Sequence, residues 1–204
     1  METAIIDYGM GNLFSVQRAF EKCNTDAVII DNPLELRNVE HIVLPGVGAF
    51  PDAVSHLRKG GWIEELDRAV LKKEIPILGI CLGMQLLASK GYEGYECSGL
   101  NYIPGEVALL QADSKEERIP HVGWNEIRKE QDAVLLDGIS DGTNFYFVHS
   151  YHFCVKNQSD VLCRTDYCGS FVSVVGKGHI VGTQFHPEKS QKAGFQIIRN
   201  FLKM

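Results

Sequence analysis

Residues 75–87 read Ile75-Pro76-Ile77-Leu78-Gly79-Ile80-Cys81-Leu82-Gly83-Met84-Gln85-Leu86-Leu87. The apolar run at the start of this stretch is typical of a buried parallel strand. The spacing of the apolar residues from position 82 onward predicts a helix that begins directly after the strand. A strand, a sharp turn and a helix form the nucleophile elbow of hydrolytic enzymes. The stretch therefore predicts such an elbow, with Cys81 in the position of the nucleophile.

Two glycines flank the cysteine at the spacing that an elbow requires. The backbone turns so tightly that it leaves no room for Cβ atoms two residues before and two residues after the nucleophile. Gly79 and Gly83 occupy these positions. A cysteine at the start of a helix also faces unpaired N–H groups and the positive end of the helix dipole, which favour the thiolate. A cysteine taken alone is more often a buried structural residue, but each glycine costs about 0.5–1 kcal/mol in a strand or helix, so the pair favours a reactive cysteine.

Length and composition limit the classes of protein to which the chain can belong. The 204 residues, 45% of them hydrophobic and 23% charged, fit one α/β domain that spans residues 1–204. The net charge of −6 argues against nucleic acid or an anionic membrane as a partner. No apolar stretch approaches the ~20 residues of a membrane span, and no signal peptide is recognisable. We therefore expect a cytoplasmic protein.

The cysteines and histidines do not show the spacing of a metal site. The six cysteines lack a zinc-binding pattern, and without an export signal we expect them to be reduced thiols. His149 and His152 are three residues apart, so on one strand they would point to opposite faces. The spacing of these residues therefore does not support a metal site.

The order of the predicted elements indicates a doubly wound, mostly parallel α/β sheet of the flavodoxin-like type. Strands are predicted at residues 3–7, 26–30, 42–44 and 75–78, and the first ninety residues are predicted to alternate strands and helices in the order βαβαβαβα. Asn12 is predicted to cap the first helix, and Ser190 the last one. In the second half, strands are predicted at 107–110, 144–151, 161–165, 171–175 and 180–185, and residues 120–125 are predicted to connect two strands. These strands indicate an added β-rich layer.

Two loops contain glycines near predicted strand ends. The loop with Gly9 and Gly11 lacks the G-x-G-x-x-G pattern of a dinucleotide site. The loop from Pro45 to Phe50 is either a simple turn or a segment whose N–H groups approach a ligand closely. In elbow enzymes the oxyanion hole takes one N–H from the residue after the nucleophile and a second from a strand-to-helix loop. Leu82 is the first candidate, and Gly46 or Val47 is the second.

His186-Pro187-Glu188 ends the last predicted strand and supplies the residue types of a base and its orienting carboxylate. An imidazole can take a proton from a thiol, and a carboxylate on the other ring nitrogen fixes the tautomer and stabilises the imidazolium. By itself the sequence His-Pro-Glu is equally compatible with a polar strand end. Together with a cysteine at an elbow, the order Cys, His, Glu favours a catalytic triad.

These motifs resemble those of the class I, or triad, glutamine amidotransferases. The resemblance extends from Ile5 to the C-terminus. Within this family, the chain is most similar to the glutaminase subunits that assemble with a cyclase in histidine biosynthesis. Four further segments support the narrower match: residues 6–13 (IDYGMGNL), 44–50 (LPGVGAF), 120–125 (PHVGWN) and 146–151 (YFVHSY).

The resemblance implies a role for each matching residue. Cys81 is the nucleophile that forms a γ-glutamyl thioester, His186 is the acid and base, and Glu188 orients the histidine. The residues implied in substrate binding or in the oxyanion hole are Gly46, Val47, Gly48, Leu82, Gln85, His149, Ser150 and Tyr151. The residues implied at a partner-facing or gating surface are Asn12, Trp124 and Tyr146. The partner implied is a (β/α)₈-barrel cyclase, which would form a heterodimer with this chain and use the ammonia to make imidazole glycerol phosphate. The resemblance implies neither a cofactor nor a metal.

Other functions are also compatible with parts of the sequence, and each predicts different sequence features. Paralogous subunits supply ammonia for the biosynthesis of surface sugars, and their triad would look the same. The chain has Asn101-Tyr102 where a Gly-Trp or similar pair is expected before Ile103. A regulatory module that kept only the fold would lack part of the triad, whereas a cysteine hydrolase or peptidase would not need the Met84-Gln85 pair or the C-terminal His-Pro-Glu.

Because one oxyanion donor is expected on a glycine-rich loop, we also expect the isolated chain to be a poor glutaminase until its partner and nucleotide bind.

Overall fold

The computed structural model describes residues 3–114 and 117–204. In these two ranges the chain forms fourteen strands and five α-helices. The strands are β1 (Thr3–Ile6), β2 (Ala27–Ile30), β3 (His41–Gly46), β4 (Ile77–Cys81), β5 (Lys90–Gly91), β6 (Cys97–Ser98), β7 (Gly105–Leu109), β8 (His121–Glu126), β9 (Arg128–Lys129), β10 (Asn144–His149), β11 (Tyr151–Val155), β12 (Val161–Thr165), β13 (Phe171–Lys177) and β14 (Ile180–Thr183). The helices are α1 (Leu13–Glu21), α2 (Phe50–Lys59), α3 (Trp62–Leu66), α4 (Leu82–Leu86) and α5 (Gln191–Phe201).

Eight strands form the main sheet, in the order β2-β1-β3-β4-β14-β13-β12-β9. The first five strands of this order run parallel, and β13, β12 and β9 are antiparallel to their neighbours. The last strand of the chain, β14, therefore lies inside the parallel part, where Thr183 is opposite Ile80 of β4. The predicted doubly wound, mostly parallel α/β sheet is confirmed.

Apolar residues of the central strands are buried on both faces of this sheet. In β1, Ile6 belongs to a core that includes Leu57 of α2, whereas Ile5 belongs to a second core that includes Phe20 of α1 and Ile198 of α5. Helices thus cover both faces, and this explains why these strands read as continuous apolar runs.

The β-rich second half is present, and its strands are divided among three sheets. Strands β9, β12, β13 and β14 belong to the main sheet, whereas β11-β7-β5-β6 and β10-β8 form two smaller sheets. The prediction of one strand over 144–151 was wrong, because the backbone leaves one sheet at Ser150 and enters another. The prediction of a connection at 120–125 was also wrong, because β8 pairs along its full length with β10.

Three predicted details at element ends were wrong. The Asn12 side chain makes no capping hydrogen bond to α1. The Ser190 hydroxyl does not cap α5, because it donates to the His186 carbonyl at 2.6 Å and accepts from the Tyr146 N–H at 3.0 Å. The third strand does not stop at Leu44 but continues to Gly46, since residues 45 and 46 pair with the end of β4.

The elbow between β4 and α4 is packed against the neighbouring strand. A Cβ atom at Gly83 would overlap the carbonyl oxygen of Leu44, and one at Gly79 would lie 2.7 Å from the backbone of Gly83 and Met84. The expectation that neither position has room for a side chain is confirmed.

All six cysteines are free thiols. Within residues 3–114 and 117–204, every helix is too short or too polar to cross a membrane.

We predict that Gly83→Ala destabilises the fold strongly, because the added methyl group must displace the backbone of β3 or α4. Overpacking of this kind costs about 1–3 kcal/mol and sometimes more. Urea unfolding followed by circular dichroism measures the loss. The matched control is Gly178→Ala, where φ is +61° and the space is open, so only the conformational cost of about 1 kcal/mol is expected. Equal losses in the two variants would contradict the steric argument.

Candidate active site

Cys81 lies at the turn between β4 and α4. Its backbone has φ +54° and ψ −109°, a conformation that residues other than glycine rarely adopt. Such a conformation costs about 1–3 kcal/mol and is typical of functional sites, where the surrounding structure enforces it. The side chain is 7% exposed. The predicted strand, turn and helix are therefore present, with the cysteine at the strained position.

His186 and Glu188 lie at the same edge of the sheet as Cys81. Strand β14 is the parallel neighbour of β4, and His186 follows its last residue, Thr183, by three positions. A short 3₁₀ turn at Pro187–Lys189 carries the glutamate. Because carboxyl ends of adjacent parallel strands meet at one edge, two residues that are 105 positions apart in the sequence come together.

The His186 ring has one nitrogen engaged and one available. Nδ1 donates to Oε1 of Glu188 at 2.7 Å, and both side chains are almost completely buried. Nε2 is also buried, and among the described residues it has no hydrogen-bond partner. This arrangement leaves Nε2 to exchange a proton with a group in the adjoining cavity.

Two neighbours determine the protonation of His186. Burial alone would lower its pKa, but the Cys81 sulfur and the Glu188 carboxylate raise the pKa to about 10. The imidazolium is therefore stabilised next to the sulfur, as a base that accepts a thiol proton requires.

A cavity of about 270 Å³ opens beside the cysteine. It is smaller than the ~300–1,000 Å³ of sites for drug-sized ligands and suits a molecule the size of an amino acid. Its lining contains Val47, Gly48, Cys81, Leu82, Gln85, Glu93, Val148, His149, Ser150, Tyr151 and His186. The structure thus brings most of the predicted site residues to one cavity.

Gly46 and Glu188 lie behind this cavity. Both line a separate space of about 10 Å³, which Asn12 also lines. The room at Gly46 is limited, since an added Cβ would lie 2.7 Å from the Tyr8 hydroxyl oxygen and 2.8 Å from the Leu82 Cβ. Of the two loop residues proposed as the second oxyanion donor, only Val47 contacts the larger cavity.

The segment from Val47 to Phe50 connects β3 to α2. Gly48 has φ +104°, where side chains are strained, and Val47 is 44% exposed. At the end of the segment, the Phe50 N–H donates to Oε2 of Glu93 at 2.7 Å. The predicted glycine-rich loop is therefore short, and its end is held by a carboxylate from across the cavity.

Sequence reasoning missed Glu93 and Gln184. Glu93 lines the cavity and lies in an irregular loop whose sequence has no periodic pattern. Gln184 is completely buried, and its Nε2 donates to the Cys81 sulfur at 3.7 Å. A polar side chain inside an apolar strand end was the available signal for Gln184.

The three residues predicted at a partner-facing surface lie near the site: Trp124 on β8, Tyr146 on β10 and Asn12 directly before α1. Trp124 is 48% exposed, and its ring contacts that of Tyr146 at 6.1 Å between centroids. The Tyr146 carbonyl accepts from the His186 N–H at 3.0 Å. Asn12 lines the small space behind His186.

Within the described ranges, no group of three or more His, Cys, Asp or Glu side chains is placed to hold a metal ion. His149 and His152 belong to different strands, β10 and β11.

Comparison with known proteins gives one family and one group of relatives. The family model for glutamine amidotransferase class-I matches residues 4–204. Imidazole glycerol phosphate synthase subunit HisH 1 of Campylobacter jejuni is 45% identical over 201 residues, which cover 98% of this chain and 99% of that protein. The HisH subunit of Brucella abortus is 46% identical, covering 100% and 99%, and that of Moorella thermoacetica is 43% identical, covering 97% and 92%.

Solved structures share the fold at low sequence identity. PurLQS from Thermotoga maritima matches with a TM-score of 0.74 and 20% identity, over 99% of this chain and 97% of that one. The glutaminase domain of Trypanosoma brucei CTPS matches with a TM-score of 0.70 and 17% identity, over 100% and 94%.

We predict that the His186–Glu188 pair makes stability depend on pH. The folded pKa of His186, about 10, lies above the ordinary value of 6.5, so the folded state binds the extra proton in between. The stabilisation is therefore complete below about pH 6.5 and is lost as the pH rises through about 10. In Glu188→Gln the neutral amide no longer stabilises the imidazolium, so the free energy of unfolding should fall less steeply over this range. Urea unfolding at several pH values measures both slopes.

The matched control is Glu21→Gln, on the exposed end of α1, which should keep the wild-type slope. Parallel slopes for wild type and Glu188→Gln would refute the assigned effect of the carboxylate.

Proposed function

Because the chain belongs to the glutamine amidotransferase class-I family, we propose that Cys81 is the nucleophile with which it hydrolyses glutamine to glutamate and ammonia. The chain is a glutaminase subunit of imidazole glycerol phosphate synthase, like the HisH proteins to which it is related over its whole length. Residues 1–204 form one amidotransferase domain in this proposal. The single observation that carries the triad is the buried His186–Glu188 pair beside an elbow cysteine.

The proposed reaction has two steps. Nε2 of His186 takes the thiol proton before substrate is attacked, and the resulting thiolate–imidazolium pair is stabilised by Glu188. The Cys81 thiolate then attacks the side-chain amide carbon of glutamine. Nε2 of His186 gives its proton to the departing nitrogen, so ammonia leaves and a γ-glutamyl thioester remains. His186 then takes a proton from water, and the hydroxide attacks the thioester carbon. The C–S bond breaks, glutamate is released, and the sulfur leaves as the thiolate beside the protonated His186. Glu188 holds the ring and stabilises its charged form throughout.

The surrounding groups have roles that follow from their chemistry. The N–H groups of Leu82 and of the Val47–Gly48 segment stabilise the oxyanion, and loss of one such donor costs about 10²–10³ in rate in a comparable enzyme. Gln85 and residues 149–151 hold the substrate. The Glu93 carboxylate complements the α-amino group of glutamine.

The ammonia goes to a second subunit. We propose a heterodimer with a (β/α)₈-barrel cyclase, which makes imidazole glycerol phosphate in histidine biosynthesis in the cytoplasm. The names of the relatives, each a subunit of a synthase, support a cyclase partner. Exposed apolar side chains support a docking surface, since Val122 and Trp124, two residues apart on β8, are 56% and 48% exposed. Asn12, Trp124 and Tyr146 contact or gate the partner in this proposal.

The departure at Asn101-Tyr102 gives no support to the surface-sugar alternative. Tyr102 is buried, and its hydroxyl donates to Oδ1 of Asp67 at 2.9 Å, outside the cavity lining. Asn101 is exposed, and neither residue lines the cavity, so this difference does not favour another acceptor.

We predict that Cys81→Ala reduces kcat/KM for glutamine hydrolysis by about 10⁴-fold or more, since removal of a nucleophile abolishes the covalent route. Glutamate release by the chain together with its cyclase is the measurement. Cys97→Ala, which changes a half-buried thiol elsewhere, should retain full activity. Activity retained in Cys81→Ala would remove that residue from the nucleophile's role.

We predict that the isolated chain releases glutamate slowly and that the cyclase with its nucleotide accelerates the reaction. The Val47–Gly48 donor lies on an exposed segment, so its ordering by the partner should raise kcat by about 10²-fold or more, the worth of one oxyanion donor. The assay compares the chain alone, with cyclase, and with cyclase and nucleotide. No rise in the third sample, with Cys81 still alkylated by a reactive glutamine analogue, would favour a different acceptor pathway.

A further inference from the structure

Two buried histidines outside the triad form a pair beside the cavity. His121 begins β8 and His149 ends β10, and the two residues are directly opposite in the antiparallel register. They are 3% and 6% exposed. His149 lines the cavity, whereas His121 does not. The sequence analysis included His121 in the motif at residues 120–125 but assigned it no role.

The hydrogen bonds of the pair have a defined direction. Nδ1 of His149 lies 2.9 Å from the Tyr151 carbonyl oxygen, which can only accept, so Nδ1 carries the hydrogen. In a neutral ring Nε2 must then be an acceptor, and Nδ1 of His121 lies 3.1 Å from it. His121 therefore donates from Nδ1.

Burial keeps both rings neutral. It lowers the pKa of His121 to about 4. Burial also lowers the pKa of His149 to about 3, although the hydrogen bond to the Tyr151 carbonyl raises that pKa. The positive charges that the nearby His121, His152 and His186 can carry lower it further. One donor and one acceptor per ring are thus available at neutral pH, and the direction of the hydrogen bonds is fixed.

The hydrogen bonds continue from the pair to the reactive sulfur. The Tyr151 carbonyl also accepts from Nε2 of Gln85 at 2.8 Å. The same nitrogen donates to Oε1 of Gln184 at 3.1 Å, and Gln184 donates to the Cys81 sulfur at 3.7 Å. A chain of hydrogen bonds therefore joins β8, the cavity wall at residues 149–151 and the elbow.

The wall at residues 149–151 depends on this support because the backbone changes sheets there. β10 belongs to the two-stranded sheet and β11 to the four-stranded one, with Ser150 between them. The His149 ring bridges the step by holding the carbonyl two residues further on. His121 fixes the ring from the neighbouring strand.

We propose that His121 is a positioning residue for glutamine, which acts through His149 to hold the cavity wall of residues 149–151 in its binding geometry. The inference rests on the proposed glutaminase function. It assigns His121 no contact with the substrate.

The surroundings of His121 suggest the variants that separate its hydrogen bond from its volume. Its ring stacks on Tyr167 at 4.0 Å between centroids and on Phe147 at 5.0 Å. His121→Phe keeps an aromatic ring between these neighbours and removes the donor. His121→Asn loses the ring but keeps an N–H near the position of Nδ1.

The experiment measures glutamine kinetics of the chain assembled with its cyclase. In His121→Phe we expect KM for glutamine to rise about tenfold, with a smaller change in kcat, since loss of a buried hydrogen bond to a neutral group is worth about that factor. His121→Asn should return KM to within about threefold of wild type. The matched control is His179→Phe, which removes a ring hydrogen bond to the Val70 carbonyl at 2.8 Å and should leave KM unchanged.

Other outcomes would overturn the inference. An unchanged KM in His121→Phe, or equal damage in both His121 variants, would reduce the residue to a packing role. A ¹⁵N spectrum of the wild-type imidazoles, which needs neither activity nor a variant that folds, should show the hydrogen on Nδ1 of both His121 and His149. The opposite tautomers would overturn the proposed hydrogen bonds. A wild-type complex without glutaminase activity would instead refute the proposed function, and this inference with it, whatever the tautomers.

Discussion

The carbonyl oxygen of Leu44 lies so close to the start of α4 that no side chain fits at Gly83. This contact fixes how β4 turns into its helix, and the turn holds Cys81 at positive φ. The neighbours of β4 complete the arrangement. β3 leads into the Val47–Gly48 segment on one side, and β14 leads to His186 on the other. The site therefore depends on the order of the strands. The strands on either side of β4 lead directly to the groups that surround Cys81, the last residue of β4.

Three buried histidines near the site differ in charge because their neighbours differ. His186 has a carboxylate on one side and a sulfur on the other, and these outweigh the effect of burial. Among the described residues, the rings of His121 and His149 have a carbonyl, an amide and each other as polar partners. Burial therefore decides the outcome and lowers the pKa of both rings. One region of the protein thus contains a ring suited to carrying a proton and two rings that act as fixed donors and acceptors.

Three features could be predicted because each depends on residues that are close together in the sequence. They are the elbow, the histidine–glutamate pair and the alternation of strands and helices. Glycine spacing, for example, reports a steric limit within five residues around Cys81. The division of residues 144–155 at Ser150 could not be predicted, since the two flanking strands pair with β8 and β7, which lie elsewhere in the sequence. The Ser190 hydroxyl is engaged by a local bond to the His186 carbonyl, four residues earlier, and by a tertiary bond from the Tyr146 N–H, and the second could not be predicted from nearby sequence. Glu93, Gln184 and His121 acquire their partners only through folding.

The position of β14 has a consequence for synthesis on the ribosome. β4 leaves the ribosome about 100 residues before β14, the strand that pairs with its edge. Until β14 has been made, the backbone N–H and C=O groups along that edge of the apolar strand β4 remain unpaired. Closing so long a loop adds only a modest entropic cost, because that cost grows with the logarithm of length. The nascent chain meanwhile contains Cys81 without His186. Under the proposed mechanism, an incomplete polypeptide would therefore release no ammonia from glutamine.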